Sequence, residues 1–385
     1  MIVIADDITG AAEIAGIAFQ RGQQVQLLCG RSLDCDHSHS LCCDSARSLC
    51  CDPVAAQTTV IATDTRSMTE AEAIAETQRI ASHLSPLSPL PPHLFKKTDS
   101  ALRGHVVAEL TALMKATGYQ RAVYLPANPS KGRTIHHGYY YINNVPINET
   151  DFSFDPEFPA RTSSLKERFP DAEAKSIIMP DAESEDDIRQ VMAAYHDGKT
   201  IFAGAADLFS AWLNANHADG PSDHSRFATT NQKNRDSRAS TLILCGSTQS
   251  KPLELGIPIA PMPRKIYDGN HDLSLWDTGD YAQAHSLILT MPYTHRTGKE
   301  AAVHLRSMMA QKAEELIAQH CPAHLIIEGG ATAWATLQTL GWSHFDIVRQ
   351  IAPGVVQMSA TNGTLVTLKP GSYPWGDLFS SSANR

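Results

Sequence analysis

Apolar and polar positions divide the first half of the chain into short buried strands that alternate with amphipathic helices. Residues 2–5 are typical of a buried strand, and the apolar residues 11–19 predict a helix that Thr9 caps and Gly22 ends. Further strands are predicted over 25–28, 58–63, 94–97, 121–125 and 201–204, and further helices over 70–83, opened by a Ser67–Glu70 capping box, over 100–117 and through Trp212. This alternation predicts an α/β fold with a mostly parallel sheet covered by helices.

The second half of the chain also combines predicted strands with a predicted helix. Residues 214–240 are almost wholly polar and are interpreted as an interdomain linker, and residues 128–161 as a long functional loop. Beyond the linker, strands are predicted over 241–245, 325–327 and 365–368, with a helix over 299–319. The sequence therefore predicts two domains, 1–213 and 241–385, which suits a chain of 385 residues.

Charge narrows the class of ligand. The net charge of −9 argues against general nucleic-acid binding or binding to an anionic membrane. Between Lys96 and Arg133, however, seven basic residues accompany two acidic ones, and this local excess favours a small anionic ligand. No segment reaches the roughly 18 apolar residues of a spanning helix, and the start has no basic region of a signal peptide. We expect a cytoplasmic protein.

Six of the eight cysteines lie between Cys29 and Cys51. A disulfide framework is not expected in a reducing compartment. Adjacent cysteine pairs are poor tetrahedral zinc ligands, so we favour a variable connection between two strands over a zinc site, and we predict no dedicated metal ligands.

Two carboxylates follow the first strand. Asp6 and Asp7 stand at a strand end just ahead of a helix, where ligands of open parallel sheets bind and where free helix amides favour anions. An aspartate there either caps the helix or contacts a substrate hydroxyl, holds Mg²⁺ through water, or acts as a base. We interpret Asp6 as a cap and Asp7 as a functional residue.

The densest cluster of charged and polar residues follows the strand 94–97. It contains Lys97, Thr98, Asp99, Ser100 and Arg103. An arginine in the first turn of a helix opposes the helix dipole, so an anion is expected to offset it. Because side chains alternate faces along a strand, one of Lys96 and Lys97 is expected to be solvated. Arg66, after the strand 58–63, is interpreted either as a carboxylate clamp or as a surface arginine in a turn.

Three strands of the second half end in glycine-containing turns. These are Gly246-Ser247, Gly329-Gly330 and Pro370-Gly371. Glycine lets backbone amides approach a phosphate, and three such turns in one domain favour a nucleotide. Neither a Gly-x4-Gly-Lys-Ser/Thr loop nor a Gly-x-Gly-x-x-Gly fingerprint occurs.

Together these residues resemble the four-carbon acid sugar kinase family, long catalogued as a domain of unknown function. The resemblance covers nearly the whole chain. It rests on the ordered segments 6–11, 97–104, 126–129, 132–134, 145–150, 155–156, 246–247, 329–332 and 369–371.

The resemblance implies an N-terminal domain that binds a sugar acid, a C-terminal domain that binds ATP, and an active site in the interdomain cleft. It implies phosphoryl transfer to the terminal hydroxyl of threonate, erythronate or 3-oxo-tetronate, with Mg²⁺ neutralising charge. It assigns substrate contacts to Asp7, Arg66, Lys97, Thr98, Asp99 and Ser100, and ATP contacts to Ser247, Gly329, Gly330, Ala331, Thr332 and Gly371. Arg66, Lys97 and Arg103 would hold carboxylate or phosphate oxygens, while Asp7 or Asp99 would orient or deprotonate the hydroxyl.

Two other functions are alternatives to a kinase. Ala331 stands where the family usually has aspartate, which motivates a non-catalytic sugar-acid-binding relative with impaired ATP binding as the alternative. An isomerase or dehydrogenase of sugar acids is disfavoured because the dinucleotide fingerprint is missing. The expected partners are a small sugar acid and ATP, and the oligomeric state is left open, a homodimer being one option.

Overall fold

The computed structural model describes residues 1–30, 56–84, 93–155, 157–216, 240–247, 253–279, 281–292, 298–371 and 373–379. The cysteine-rich segment beyond Gly30 and the centre of the predicted linker lie outside these residues. The chain divides into two compact units. Unit 1 comprises Met1–Ala18 and Gln57–Pro221, and unit 2 comprises Phe19–Ala56 and Ser222–Arg385.

Strands and helices are numbered along the chain. The strands are β1 Ile2–Ala5, β2 Val25–Cys29, β3 Thr58–Ala62, β4 Leu94–Lys97, β5 Arg121–Leu125, β6 Arg133–His136, β7 Tyr139–Ile142, β8 Val145–Pro146, β9 Ile177–Ile178, β10 Thr200–Gly204, β11 Thr241–Cys245, β12 Ile259–Pro261, β13 Ser286–Thr290, β14 His324–Glu328, β15 His344–Ala352, β16 Val355–Ala360 and β17 Leu365–Lys369. The helices are α1 Ile8–Gln20, α2 Glu70–Leu84, α3 Val106–Thr117, α4 Leu165–Arg168, α5 Glu185–Tyr195, α6 Ala206–Asn216, α7 Arg264–Tyr267, α8 Tyr281–Ala284, α9 Lys299–His320 and α10 Gly330–Thr339.

The sheet of unit 1 is parallel throughout. Its strands follow the order β3-β1-β4-β10-β5-β9. β1 lies between β3 and β4, and the register pairs Ala5 with both Ala62 and Lys97. The carboxyl ends of these three strands therefore meet at one edge, which is where ligands bind in open parallel sheets.

The strands of unit 1 are buried on both faces. Every residue of β3, β4 and β10 is buried. Successive side chains of these strands point to opposite faces of the sheet, but both faces are shielded from water. The prediction that one of Lys96 and Lys97 is solvated is therefore wrong. The Lys96 ammonium lies 2.6 Å from the Glu109 carboxylate of α3, and both side chains are 1% exposed.

Three local predictions are corrected in unit 1. Helix α3 begins at Val106 rather than at residue 100, so Arg103 lies in the turn before the helix and not in its first helical turn. The capping box of α2 is formed by Thr69 and Glu72, not by Ser67 and Glu70. Residues 128–161 are not one long loop, because β6, β7 and β8 pair in an antiparallel sheet within them.

Unit 2 combines a parallel and an antiparallel part. Its strands follow the order β12-β13-β11-β14-β17-β16-β15-β2, parallel from β12 to β17 and antiparallel beyond. The strand β2, placed by the sequence within the first domain, hydrogen-bonds to β15 of unit 2. Buried isoleucines of β11, β13 and β14 form the core.

The α/β fold with mostly parallel sheets and flanking helices is confirmed. No helix among the described residues combines the length and hydropathy needed to cross a membrane.

The buried pair of Lys96 and Glu109 tests this packing. Lys96→Met leaves an uncompensated carboxylate in the core and should lower the free energy of unfolding by about 3–5 kcal/mol. The double variant Lys96→Met/Glu109→Leu should recover most of the loss, because neither charge is then buried. Denaturant unfolding of both variants measures the difference, and equal midpoints for the two would contradict it.

Candidate active site

Arg66 joins carboxylates from different strand ends in unit 1. Its Nε and Nη2 atoms donate to the Asp6 carboxylate at 2.9–3.0 Å, and Nη2 also donates to Asp7 Oδ1 at 3.0 Å. Its Nη1 atom lies 3.7 Å from Asp99 Oδ1. Although burial lowers the pKa of Arg66, these three carboxylates outweigh it and raise the pKa well above the usual value, so the cation is permanent.

Asp6 is not the cap that the sequence interpretation made it, and Asp7 is the residue that caps α1. Asp6 is buried against Arg66 and does not cap α1, so that interpretation is wrong. Asp7 is the cap, since its Oδ1 accepts the Gly10 amide at 3.0 Å, while Thr9, predicted as the cap, donates its hydroxyl to Asp7 Oδ2. Burial raises the pKa of Asp7, but Arg66 and Lys97 outweigh it, and the net pKa lies below the usual value.

Lys97 extends from the end of β4 towards the start of α1. Its ammonium donates to the Thr98 carbonyl at 2.9 Å and lies 3.8 Å from Glu13 Oε2. The other oxygen of Glu13 binds Lys131. A Cβ on Gly10 would fall 2.6 Å from Asp7 Oδ1 and 3.2 Å from the Lys97 ammonium, so glycine allows this close approach.

Asp99 is the most strongly held carboxylate of this cluster. It accepts the Ala101 amide at 2.9 Å, the Arg103 amide at 3.2 Å, and the Arg103 side chain at 2.8 and 2.9 Å. Burial raises its pKa, but Arg66 and Arg103 outweigh burial and hold the pKa far below the usual range. Such a carboxylate stays ionised and binds a proton weakly, which suits a positioning group better than a base.

Ser100 lies between this turn and the antiparallel sheet. Its hydroxyl accepts a hydrogen bond from Arg133 Nη1, and its carbonyl accepts one from the Tyr140 hydroxyl at 2.5 Å. The guanidinium carbons of Arg103 and Arg133 each lie 5.8 Å from the centroid of the Phe152 ring. Cation–π contacts at this range hold both guanidiniums in place.

The unit 1 residues predicted as substrate contacts thus lie together: Asp7, Arg66, Lys97, Thr98, Asp99, Ser100 and Arg103. Sequence reasoning missed the structural partners of this cluster, Glu13, Lys131, Arg133, Tyr140, Phe152 and Asp155. Lys131 and Arg133 belong to the basic excess between Lys96 and Arg133, and Arg133 and Asp155 also belong to segments that carry the resemblance. No sequence pattern signalled Glu13, Tyr140 or Phe152, which come from α1 and from the segment interpreted as a loop.

In unit 2 the register aligns three strand ends. Cys245 of β11 pairs with Glu328 of β14, which pairs with Lys369 of β17. The glycine turns that follow these strands are therefore neighbours. The Gly246 amide donates to the Glu328 carbonyl at 3.2 Å, and the Gly329 amide donates to the Lys369 carbonyl at 2.9 Å.

A buried ion pair supports these turns. The Lys369 ammonium lies 2.5 Å from Glu328 Oε1, both side chains being 2% exposed. The same ammonium donates to the Gly371 carbonyl at 3.0 Å and lies 4.8 Å from the centroid of the Trp375 ring. The pair fixes the ends of β14 and β17 and with them the position of Gly371.

Glycine is required where the turns meet α10. A Cβ on Gly246 would lie 1.9 Å from Thr332 Oγ1, and Gly329 adopts a positive φ of 96°. Thr332 is buried, whereas Ala331 is exposed at the second position of α10. The first amides of this ten-residue helix have no partner within the helix and suit an anion.

The predicted ATP contacts of unit 2 also lie together: Ser247, Gly329, Gly330, Ala331, Thr332 and Gly371. Among the described residues, no group of three or more His, Cys, Asp or Glu side chains could hold a metal ion.

Two family models match the chain. Residues 1–171 match the sugar-binding N-terminal domain, and residues 283–373 match the nucleotide-binding C-terminal domain. A D-threonate kinase of Salmonella typhimurium is 33% identical over 167 residues, which are 43% of this chain and 35% of that relative. The chain thus matches about a third of that relative's length. A 3-oxo-tetronate kinase of Haemophilus influenzae is 24% identical, and the match covers 98% of this chain and 97% of that relative. A 3-oxo-tetronate kinase of Brucella melitensis is 26% identical, and the match covers 96% of this chain and 92% of that relative.

Solved structures show the same fold. A Haemophilus influenzae protein superposes with a TM-score of 0.65 at 20% identity, covering 100% of this chain and 99% of its own. A Salmonella typhimurium protein gives a TM-score of 0.69 at 19% identity, covering 100% and 98%.

The chain is an α/β protein of two compact units that matches a sugar-binding and a nucleotide-binding domain model. The chain belongs to the four-carbon acid sugar kinase family.

Gly10→Ala tests the crowding around Lys97. Alanine favours a helix interior by up to about 1 kcal/mol, so the fold should keep its melting temperature. The methyl group should displace Asp7 or Lys97 and weaken binding of four-carbon sugar acids at least about tenfold, as expected for ångström-scale misplacement. Calorimetry measures the affinity, and Gln20→Ala at the exposed end of the same helix is the control. Wild-type affinity in Gly10→Ala would contradict the prediction.

Gly246→Ala tests the nucleotide turns. The methyl group would overlap Thr332, and the shift of the turn should weaken ATP binding about tenfold or more, the usual scale of overpacking. Binding of the sugar acid to unit 1 should be unchanged. Titration calorimetry with each ligand checks both statements, with Thr361→Ala on an exposed turn as the control. Equal loss of both ligands would indicate unfolding instead.

Proposed function

We propose that this protein is an ATP-dependent kinase that phosphorylates the terminal hydroxyl of a four-carbon sugar acid such as threonate, erythronate or 3-oxo-tetronate. One observation carries the proposal. The sugar-binding and the nucleotide-binding domain models each coincide with a cluster of polar residues at the carboxyl ends of parallel strands. The matched relatives named as kinases of these three acids support the substrate class.

In the proposed reaction unit 1 binds the sugar acid. Lys97 and the arginines around Asp99 provide positive charge, and Asp7 accepts a hydrogen bond from a substrate hydroxyl. Asp7 suits this role because burial is outweighed and its pKa is low, its side chain is 15% exposed, and within the described part of the chain its Oδ2 atom is bound by the Thr9 hydroxyl alone. A positioned carboxylate suffices here, because phosphoryl transfer depends mainly on orientation and charge neutralisation.

Asp99 is proposed to position cations rather than to act as the base. Both of its oxygens are occupied, and the guanidiniums that occupy them hold its pKa low. Arg103, fixed by Asp99 and lying 3.6 Å from Asp155, is 32% exposed and can reach a ligand. We propose that Arg103 stabilises charge on the transferring group.

Unit 2 is proposed to bind ATP through the Gly246 and Gly329 turns and the first turn of α10. Gly246 lets its turn pack directly on Thr332, which brings the turn next to the first amides of α10. Mg²⁺ fits this site as a partner of ATP. The nearby Glu328 carboxylate is neutralised by Lys369. The main ligands of Mg²⁺ would therefore be phosphate oxygens and water. When bound, Mg²⁺ would neutralise charge on the transferring phosphoryl group.

The alternative of a non-catalytic relative rests on Ala331. This residue is exposed at the start of α10, and the backbone amides of that turn are present whatever its side chain. The geometry of the turn therefore supports ATP binding. The domain boundaries at 213 and 241 and the cytoplasmic location stay predictions.

A ligand panel tests the proposed function. ATP with Mg²⁺ at millimolar concentration and each four-carbon acid should raise the melting temperature, and ADP release should depend on the acid. No nucleotide-dependent shift would refute the kinase proposal. A shift with both ligands but no ADP release would favour the non-catalytic alternative.

Two variants test the turn after β4. Asp99→Asn loosens Arg66 and Arg103, and Arg103→Ala removes a cation, so each should lower kcat/KM by at least ~100-fold. A coupled ADP assay measures the rates. The matched controls are Asp171→Asn and Arg189→Met, both strongly exposed. Wild-type rates in Asp99→Asn and Arg103→Ala would remove this turn from the mechanism.

A further inference from the structure

Arg133 differs from the other two arginines of the unit 1 cluster. Arg66 and Arg103 are each held by carboxylates, as described above. Arg133 donates through Nη1 to the Ser100 hydroxyl, and its guanidinium carbon lies 5.8 Å from the centre of the Phe152 ring. Across the ranges that the structure describes, no carboxylate lies within ion-pair distance of it. Its positive charge therefore lacks the compensation that the other two receive.

The backbone holds Arg133 firmly at this place. It is the first residue of β6, its amide donates to the Asn128 carbonyl at 3.1 Å, and its carbonyl accepts the Asn128 amide at 2.8 Å. The next strand, β7, contacts the turn after β4, because the Tyr140 hydroxyl donates a hydrogen bond to the Ser100 carbonyl. Arg133 thus lies at the start of a hydrogen-bonded hairpin whose two strands pair in register.

The charges around Arg133 favour an anion. The Phe152 ring lies at the same distance from two guanidiniums, and the one of Arg103 is compensated by Asp99 and Asp155. An aromatic face contributes far less than a carboxylate to the compensation of a cation. The planar fork of Arg133 and the adjacent Ser100 hydroxyl match the two oxygens of a carboxylate.

We propose that Arg133, together with the Ser100 hydroxyl, binds the carboxylate of the sugar acid and selects acids over neutral polyols. The inference rests on the proposed function. It assigns the carboxylate to a different arginine than the sequence did, because Arg66 and Arg103 already serve protein carboxylates. Asp7 is then left for the hydroxyl end of the substrate.

The test compares an acid with its neutral counterpart. Threitol and erythritol carry a hydroxymethyl group where threonate and erythronate carry the carboxylate. Arg133→Met should lower kcat/KM for the preferred tetronate about 100-fold, mainly through KM, which is the scale of a lost charge-assisted pair. For the tetritol the change should stay below about threefold, since no carboxylate is lost. Arg133→Lys keeps the positive charge but lacks the planar fork, so its kcat/KM for the tetronate should lie between those of the wild type and Arg133→Met.

A structural role for Arg133 predicts a different pattern. If Arg133 only anchors β6 to Ser100, both substrates should lose activity equally and the melting temperature should fall, which would overturn the proposal. Arg189→Met on the exposed surface of α5 should leave both substrates unaffected. Arg133→Lys keeps the test decisive if Arg133→Met does not fold.

Binding without nucleotide separates this proposal from the proposed function. Calorimetry of the nucleotide-free protein should give tetronate affinity in the wild type and about 100-fold weaker affinity in Arg133→Met. If Arg133→Met binds and phosphorylates the tetronate like the wild type, Arg133 does not bind the carboxylate, but the kinase proposal stands. If tetronate binding depends on Arg133 but no ADP is released, Arg133 binds the carboxylate and the kinase proposal is refuted. Absence of tetronate binding in the wild type would refute both.

Discussion

The guanidinium of Arg66 holds the carboxyl ends of three parallel strands in one arrangement. It follows β3 and binds carboxylates that follow β1 and β4, so these strand ends are joined by charge as well as by the sheet. Like charges this close are tolerable only because a cation lies among them. Without Arg66 the buried carboxylate of Asp6 would lose its hydrogen-bonded cation and keep only the more distant charges of Lys96 and Lys97, and the turn that carries Asp99 would lose one of its anchors. The cap of α1 shares this contact, because Asp7 Oδ1 accepts both from Arg66 and from the Gly10 amide.

The same principle organises unit 2 with a lysine. Lys369 neutralises Glu328 across two paired strand ends and also holds the Gly371 carbonyl. In both units, a buried ion pair fixes the turns while leaving backbone amides or a further side chain available for a ligand. A buried pair contributes little net stability, because the charges lose their hydration, but it defines one geometry sharply when every hydrogen bond is made. Precise placement of ligand groups is what a phosphoryl-transfer site requires.

Much of the fold was predictable from local patterns. β1, β4, β5 and α9 lie within a residue or so of their predicted bounds, because apolar runs, caps and glycine stops act over a few residues. The start of α3 was not predictable, since Asp99 captures the Ala101 and Arg103 amides and keeps that segment in a turn. The solvated lysine was wrongly predicted because alternation implies exposure only where one face of a sheet meets water, and here helices cover both faces. β2 could not be assigned to its unit, since its pairing with β15 spans more than three hundred residues of sequence.

The sequence by itself determined which residues follow the strands, and hence the aspartates, arginines and glycines that meet at the carboxyl edge of each sheet. The order of β1, β3 and β4 in that sheet, and with it the sharing of Arg66 among three carboxylates, was decided by the tertiary structure alone. The reason is physical. Strand composition is local, but the compensation of a charge depends on neighbours far apart in sequence. Asp6 became a buried ion-pair partner and Asp7 the cap, and Arg133 emerged as the one of the three arginines of the unit 1 cluster with no ion pair among the described residues, only when those neighbours were in place.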